Sequence, residues 1–259
     1  MHVHPLSDLA AIEAFLETDR LWSAYALADL DPDLWKQSEW YGAESESGEL
    51  RAVALLFKGL EPPALFTMGD PQGITLVLGT ALRARRAYLG VREEHMLAVE
   101  AHYRVTDRES MWRMMLNPHE FHPVRGSVTH LTPQYTKDLK RLYELGGGDA
   151  FTPSQVFDGA FFGIEERGRL VAAAGTHVLS TARNASAVGN VFTHPDYRGR
   201  GFAAMTTSAV CADLIRRGMR TIVLNVAQAN TVAIHVYEKL GFKKYLPFVE
   251  GIAIRKRTN

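Results

Sequence analysis

Hydrophobic and polar positions repeat with different periods along the chain, and the first half predicts both helices and strands. Residues 9–30 place apolar side chains at helical spacing, whereas residues 39–45 and 50–58 alternate like paired strands around the turn-forming residues 45–48. The other predicted elements of this half are strands at 64–68, 87–91 and 110–116, a helix that ends at 85, and a helix at 93–103. The order is therefore helix, three strands, helix, strand, helix, strand.

The second half repeats this element order. A strand at 128–131 precedes a helix that begins at Thr132-Pro133, where a side-chain cap is followed by proline in the first turn. Further strands are predicted at 160–165, 170–179, 187–192, 221–226, 243–248 and 252–255, with helices at 202–217 and 230–240 and a short helix that begins at Thr152-Pro153-Ser154. The shared order predicts a mixed α/β protein made of two similar domains, as a tandem duplication of one fold would produce.

A boundary is predicted at residues 117–126, where two prolines and a glycine interrupt both helical and strand periodicity. The predicted domains are therefore residues 1–118 and 128–259, joined by a linker at 119–127. A chain of 259 residues is long enough for two domains of ordinary size.

Composition excludes several functional classes. The 29 basic residues balance the 29 acidic ones, so no global field attracts nucleic acid or an anionic membrane, and any anion binding must be local. The single cysteine, Cys211, provides neither a disulfide framework nor a metal-ligand cluster, and we expect no metal. The chain begins without a basic segment followed by an apolar run, so we expect a cytoplasmic protein without a membrane partner.

The segment from His194 to Gly201 combines two glycines and two arginines directly before a predicted helix. Glycines allow backbone N–H groups to turn toward phosphate oxygens, a helix N-terminus adds unpaired donors, and arginine adds a charge-assisted fork. The spacing matches neither the P-loop nor the three-glycine dinucleotide fingerprint. The segment taken alone could equally be a solvated strand-to-helix connection.

A second cluster lies at residues 230–242. Asn230 is a suitable N-cap residue and Gly241 a suitable helix terminator. Asn230 and Tyr237 lie seven positions apart, which is about two helical turns, so both can face a ligand beside the helix.

Together the two clusters resemble the GNAT superfamily of acyl-CoA-dependent N-acyltransferases. The pattern Q/R-x-x-G-x-G/A is met by Arg198, Gly201 and Ala203, and N-x-x-A-x-x-x-Y-x-K-L-G-F is met at every fixed position from Asn230. The resemblance covers residues 128–256 and extends to the first half only through element order, so that half is interpreted as a degenerate GNAT-like domain. It implies that each domain has a central, mostly antiparallel twisted sheet flanked by helices. Its equivalent connection, residues 69–73, carries Asp70 where a diphosphate would bind, and we therefore expect one coenzyme A per chain.

The resemblance also implies roles for individual residues. Backbone groups before the loop would hold the pantetheine arm, the loop and helix start would hold the diphosphate, Asn230 would bond a pantetheine amide, and Tyr237 would protonate the departing thiolate. The expected cofactor-binding residues are Val191, Phe192, Thr193, Arg198, Gly199, Arg200, Gly201, Phe202, Ala203 and Asn230. Each also has a structural interpretation: a strand end, a turn, a helix cap or, for Tyr237, a core aromatic.

The two motifs do not include a general base. Some family members use a glutamate early in the strand before the loop, but residues 184–190 contain no carboxylate. His177 and Glu250 are the candidates, against a structural role for each or a chain of water molecules.

The function implied is transfer of an acetyl or other short acyl group from its coenzyme A thioester to a small-molecule or peptide amine. The alternative is a non-catalytic acyl-CoA sensor.

Overall fold

The computed structural model describes residues 1–147 and 151–257, which divide into two compact units. The first contains Met1–Trp112 and the chain from Leu246 onward, and the second contains Arg113–Tyr245. The chain passes from one unit to the other after Trp112 and after Tyr245, each time within a long strand.

The helices and strands follow the predicted order, except that an unpredicted strand, His2–Pro5, comes first. The helices are α1 (Leu9–Glu17), α2 (Ala24–Ala28), α3 (Pro32–Trp35), α4 (Pro71–Thr80), α5 (Met96–His102), α6 (Thr136–Tyr143), α7 (Gln155–Asp158), α8 (Phe202–Arg216) and α9 (Thr231–Lys239). The strands are β1 (His2–Pro5), β2 (Ser38–Glu44), β3 (Leu50–Phe57), β4 (Ala64–Gly69), β5 (Arg86–Arg92), β6 (Tyr103–Leu116), β7 (Thr129–His130), β8 (Phe162–Glu166), β9 (Arg169–Ser180), β10 (Ala185–Thr193), β11 (Thr221–Ala227) and β12 (Phe242–Arg255).

Each unit contains a mixed sheet in which antiparallel pairs predominate. In the first unit β1 to β5 lie in sequence order and the later part of β12 pairs antiparallel with β5, while β4 and β5 are the parallel pair. In the second unit β7 to β11 lie in order, and β10 and β11 are the parallel pair. The predicted α/β class with two similar sheets is therefore confirmed.

Strand periodicity distributes the second unit's core to both faces of its sheet. Ala172 packs with Phe202 of α8, whereas the next residue, Ala173, packs with Leu139 of α6 and with Phe192. Successive side chains of a strand point to opposite faces, so β9 lies between two helical layers. α8, which follows β10, therefore packs on one face of this sheet.

Four predicted elements differ from the structure. The helix predicted at 9–30 ends at Glu17 and resumes at Ala24 because Thr18 Oγ1 donates to the Phe15 carbonyl (2.7 Å) and the Asp19 carboxylate accepts from the Trp22 N–H (3.1 Å). Such side-chain bonds compete with helix propagation. The helix predicted at 93–103 is a 3-10 turn followed by α5, and the two final strands are the single strand β12.

The domain boundaries also differ from the predicted division. Residues 119–127 contact the second unit rather than forming a free linker: the His122 N–H donates to the Leu240 carbonyl (3.0 Å) and the Val124 N–H donates to Ser208 Oγ (2.8 Å). Residues 248–254 pair with β5 and so belong to the first unit. Residues 258 and 259, the predicted end of the second domain, lie outside the described residues.

No helix in the part of the chain that the structure describes has the length and apolar character needed to span a bilayer.

Candidate functional site

The parallel strands β10 and β11 diverge toward their carboxyl ends. Their registered pairs run from Ala185–Thr221 to Val188–Leu224, although β10 continues to Thr193. Over the diverging stretch β10 stays paired with β9 on its other edge, through Phe192–Ala173 and Thr193–Ala172. The edge of Val191, Phe192 and Thr193 that faces β11 therefore presents backbone groups to which an extended ligand could add as a strand.

The loop after β10 leaves the start of α8 uncapped by any side chain. Gly199 (φ 75°) and Gly201 (φ 77°) both adopt the left-handed conformation, and Gly201 is the N-cap residue of α8. No acidic residue lies in the first turn of α8, so its first N–H groups, including those of Phe202 and Ala203, have no competing carboxylate from that turn. Gly199, Arg200 and Gly201 before it are exposed. An uncapped helix N-terminus of this kind favours an anion.

The two arginines of the loop have different contacts. Arg198 Nε donates to the Thr193 carbonyl (3.3 Å), and its guanidinium lies 5.8 Å from the ring centre of Phe192, at the diverging end of β10. Arg200 is paired with Glu166 (3.1 Å) and lies 4.7 Å from the ring centre of Phe202. Arg198 therefore lies closer to the strand that would hold a ligand, whereas Arg200 is tied to the β8–β9 hairpin.

Asn230 caps α9 and keeps part of its side chain available. Its Oδ1 accepts from the Ala233 N–H (3.1 Å), as the helix-capping interpretation predicts. The side chain is exposed, and its Nδ2 has no hydrogen-bond partner among the described residues. Capping and ligand binding can therefore use different atoms of the same amide.

Tyr237 lies in the core of the second unit, 7% exposed, with its ring 6.0 Å from that of Phe242. Burial raises the pKa of the phenol above its usual value of 10, with a smaller contribution from Cys211. No described residue hydrogen-bonds the hydroxyl. The phenol is therefore protonated at neutral pH and has a proton to donate.

His177, one of the two base candidates, supports the bulged part of β10. Its Nε2 accepts from the Asn190 N–H (3.2 Å), and a Cβ added to Gly189 would lie 2.3 Å from that nitrogen, so the ring packs flat on the glycine. Burial, and to a lesser extent the Arg113 guanidinium, lower the pKa of His177 to about 4. The lone pair that a base would use is thus already bonded to the backbone.

The cluster around His177 also fixes Asn190, a residue that sequence reasoning missed. Asn190 has φ 52° and is buried, Tyr143 donates to its carbonyl (2.7 Å), and Gln155 accepts from its side chain (3.1 Å). Gln155 also donates to the His177 carbonyl (3.0 Å). The bulge depends on contacts from distant elements, which the sequence does not show. The adjacent Gly189-Asn190 pair was its one local signal of irregular backbone.

The environment of His177 predicts that wild type loses more stability at acidic pH than a variant without this histidine. Its pKa is lower in the folded chain than in the unfolded chain, so this group lowers the free energy of unfolding as pH falls from 6.5 through 4 and has no such effect above 6.5. His177→Gln retains an acceptor but removes the titration, and it should lose less stability over that interval, by on the order of 3 kcal/mol. Urea unfolding of both proteins between pH 7 and about pH 4 measures the difference. His235→Gln, at an exposed histidine of the same unit, is the control, and parallel curves for His177→Gln and wild type would contradict the assignment.

Glu250, the other base candidate, belongs to the first unit. It lies on β12 opposite Gly90, and the Tyr88 hydroxyl donates to its carboxylate (2.5 Å). No cluster of histidine, cysteine, aspartate and glutamate suited to a metal ion occurs in the described ranges.

The equivalent part of the first unit is occupied by its own side chains. The parallel pairs of β4 and β5 end at Phe66–Gly90, and beyond them Trp22 Nε1 donates to the Thr67 carbonyl (3.0 Å). His95 Nε2 lies 2.9 Å from the Gly69 carbonyl.

Asp70 caps the helix that follows, accepting from the N–H groups of Gln72 (2.8 Å) and Gly73 (2.9 Å). These contacts occupy strand carbonyls and helix donors of the first unit, whereas in the second unit no side chain caps the start of α8.

Comparison with known proteins identifies the second unit. The model of the acetyltransferase (GNAT) family matches residues 129–242. Residues 129–242 are thus similar to that family. The expected resemblance is therefore confirmed for the segment that carries both motifs.

Curated relatives include a mycothiol acetyltransferase of Thermobispora bispora, 35% identical over 144 residues, which are 53% of this chain and 43% of the relative. A mycothiol acetyltransferase of Rhodococcus opacus is 27% identical over 63% of this chain and 53% of the relative. The [ribosomal protein bS18]-alanine N-acetyltransferase of Escherichia coli is 29% identical over 35% of this chain and 63% of the relative. The chain thus spans about half the length of the mycothiol acetyltransferases it matches.

Solved structures resemble the chain over its whole length. A GCN5-related N-acetyltransferase from Sphaerobacter thermophilus aligns with TM-score 0.64 and 18% identity, covering 100% of this chain and 97% of that one. A tandem GNAT protein from the clavulanic acid biosynthesis pathway aligns with TM-score 0.61 and 15% identity, covering 100% and 99%. At these identities the likeness establishes the fold.

Proposed function

We propose that the chain is an N-acetyltransferase that transfers the acyl group of acetyl-CoA directly to an amine. The observation that carries the proposal is the combination of an open edge on β10 with an uncapped start of α8, joined by the loop Arg198–Ala203. The family match over residues 129–242 and the acetyltransferase relatives support the same reaction.

The proposed binding mode follows from the contacts described above. Backbone groups of Val191, Phe192 and Thr193 hold the pantetheine arm along the open edge of β10. The N–H groups at the start of α8 bind the diphosphate, and Arg198 adds a positive charge beside them. Asn230 donates its Nδ2 to a pantetheine carbonyl while its Oδ1 continues to cap α9.

In the reaction, the amine nitrogen attacks the thioester carbonyl, the new C–N bond forms, and the C–S bond breaks. Tyr237 gives its proton to the leaving thiolate, since its hydroxyl has no hydrogen-bond partner among the described residues, and it regains a proton from solvent. The amine loses one proton. His177 is a poor acceptor for it because Nε2 is hydrogen-bonded, which leaves water or Glu250 as candidates for the base.

The acceptor is proposed as a class, an amine on a small molecule or on a peptide. The relatives named for mycothiol and for a ribosomal-protein alanine represent these two kinds of acceptor. A cytoplasmic location is part of the proposal, since the one cysteine is buried and reduced.

An acceptor screen tests the proposal. Purified protein with acetyl-CoA and a panel of amino sugars, amino acids, peptides with free N-termini and polyamines should release free thiol steadily with at least one class of amine. Mass spectrometry of the product should show one added acetyl group. Calorimetric titration with acetyl-CoA should show one site per chain, and tight binding without turnover across the panel would favour the sensor instead.

A further inference from the structure

Lysine and arginine side chains of the first unit fall into two groups that differ in their partners. In the first group, each side chain forms an ion pair with a carboxylate. These pairs are Arg20–Glu17, Lys36–Asp33, Arg51–Glu49, Lys58–Glu39, Arg92–Asp19 and Arg108–Glu100. The charge of these cations is thus locally balanced.

The remaining cations of the unit form what we call the basic cluster. It consists of Arg83, Arg85, Arg86, Arg104, Arg255, Lys256 and Arg257. Among the described residues, none of these side chains forms an ion pair with a carboxylate. Like charges gathered without counter-charges raise the local positive potential, so the cluster favours an anion from solution.

Strand pairing brings these distant sequence positions together. Arg86 lies opposite Ile254 in the β5–β12 ladder, and the Arg255 N–H donates to the Arg85 carbonyl (2.9 Å). The Lys256 N–H donates to the His102 carbonyl (2.9 Å), two residues before Arg104. The basic cluster is therefore a product of the fold.

Four members of the cluster line an open cavity of about 640 Å³ in the first unit. They are Arg104, Arg255, Lys256 and Arg257. One acidic residue, Glu100, also lines the cavity, and its carboxylate is paired with Arg108 (3.5 Å). This volume lies in the range of small-molecule sites. Lys256 Nζ donates to the Glu100 carbonyl (2.6 Å), which fixes its ammonium group at the cavity wall.

Arg255 is held in a defined orientation. Its Nη1 donates to the carbonyls of Leu78 and Leu82 (both 2.9 Å) and approaches the Tyr103 hydroxyl (3.0 Å), while the guanidinium stacks over the Tyr103 ring at 5.2 Å. No described residue bonds Nε or Nη2. These two nitrogens form a pre-oriented fork of the kind that matches phosphate or carboxylate.

We propose that this cavity binds a small polyanion, a metabolite with two or more phosphate or carboxylate groups. Arg255 supplies the oriented fork, and Arg104, Lys256 and Arg257 supply the surrounding charge. The cavity offers no exposed aromatic ring for base stacking, because Tyr103 is 0% exposed, which disfavours single-stranded nucleic acid. The site belongs to the first unit and is independent of the proposed acetyl transfer.

Titration of the full chain with sodium tripolyphosphate at low ionic strength tests the proposal. Arg104→Gln combined with Arg257→Gln should weaken binding about tenfold or more, which corresponds to about 1.4 kcal/mol or more. Both side chains are exposed and have no partner among the described residues, so the fold should be unaffected. The matched control is Lys36→Gln with Arg51→Gln, which changes the charge of the same unit equally at paired cations and should leave binding within twofold.

Each outcome decides the matter. Stronger binding of tripolyphosphate than of citrate identifies a phosphate ligand, and the reverse identifies a carboxylate ligand; both support the site. No saturable binding, or equal weakening by the two double variants, overturns it. Tighter binding of a short single-stranded RNA than of tripolyphosphate also overturns it, in favour of a nucleic-acid surface. Failure of acetyl transfer would leave all these results unchanged.

Discussion

Gly201→Asp should raise the Kd for acetyl-CoA about 100-fold or more while leaving the protein folded. Gly201 is the N-cap residue of α8, and no side chain caps that helix. An aspartate there would place a carboxylate beside the first N–H groups of α8, where the diphosphate is proposed to bind. Two like charges about 4 Å apart near a protein surface repel by roughly 4 kcal/mol, which is enough for this loss.

The first unit already contains this arrangement. Asp70 is the N-cap residue of α4, and its carboxylate accepts from the N–H groups of Gln72 and Gly73. The variant would place a carboxylate at the same N-cap position of α8, although Asp70 is extended (φ −66°) whereas residue 201 is left-handed (φ 77°). It also tests why we expect one coenzyme A per chain.

Gly201→Asn is the control for Gly201→Asp. Asparagine tolerates the left-handed conformation at φ 77° and can cap the helix, but it carries no charge. Calorimetric titration of both variants with acetyl-CoA separates charge from capping and strain. If Asn weakened binding as much as Asp, repulsion of the diphosphate would not be the cause, and near wild-type binding by Gly201→Asp would place the diphosphate elsewhere.

The parts of the site that the sequence predicted are those built from local signals. Gly199, Gly201 and the start of α8 lie within a few residues of one another, and so do Asn230 and Tyr237 on α9. Capping, left-handed glycines and helical spacing are properties of neighbouring residues, so a single sequence reveals them.

The parts that could not be predicted depend on contacts across the fold. The environment of His177 is formed by Gly189, Asn190 and Arg113, which lie on other strands. In the same way, the pairing of β12 with β5 brings together the arginines of the basic cluster, which have no ion-pair partner among the described residues. Burial and the identity of the nearest charge are fixed only by tertiary packing, and both determine a pKa.

Tyr237→Phe should lower kcat about 10²-fold to 10⁴-fold and leave the KM for acetyl-CoA nearly unchanged, which is the range expected for a lost general acid. The hydroxyl has no hydrogen-bond partner among the described residues, and the ring packs against Phe242, so phenylalanine should keep the core intact. Because burial raises the pKa of the phenol above 10, the wild-type rate should not fall through loss of this proton between pH 7 and 9.

The control is Tyr135→Phe, which removes the exposed phenol hydroxyl that donates to Glu165 in the same unit (3.1 Å). It should retain the wild-type kcat, whereas Tyr237→Phe should show its deficit at saturating acetyl-CoA, where binding no longer limits the rate. Thermal unfolding of both variants excludes a folding defect. A Tyr237→Phe enzyme with full kcat from pH 7 to 9 would return Tyr237 to the role of a core aromatic and leave the thiolate to be protonated by water. A higher KM at unchanged kcat would instead assign Tyr237 to cofactor binding, because interactions made equally in the ground and transition states affect KM alone.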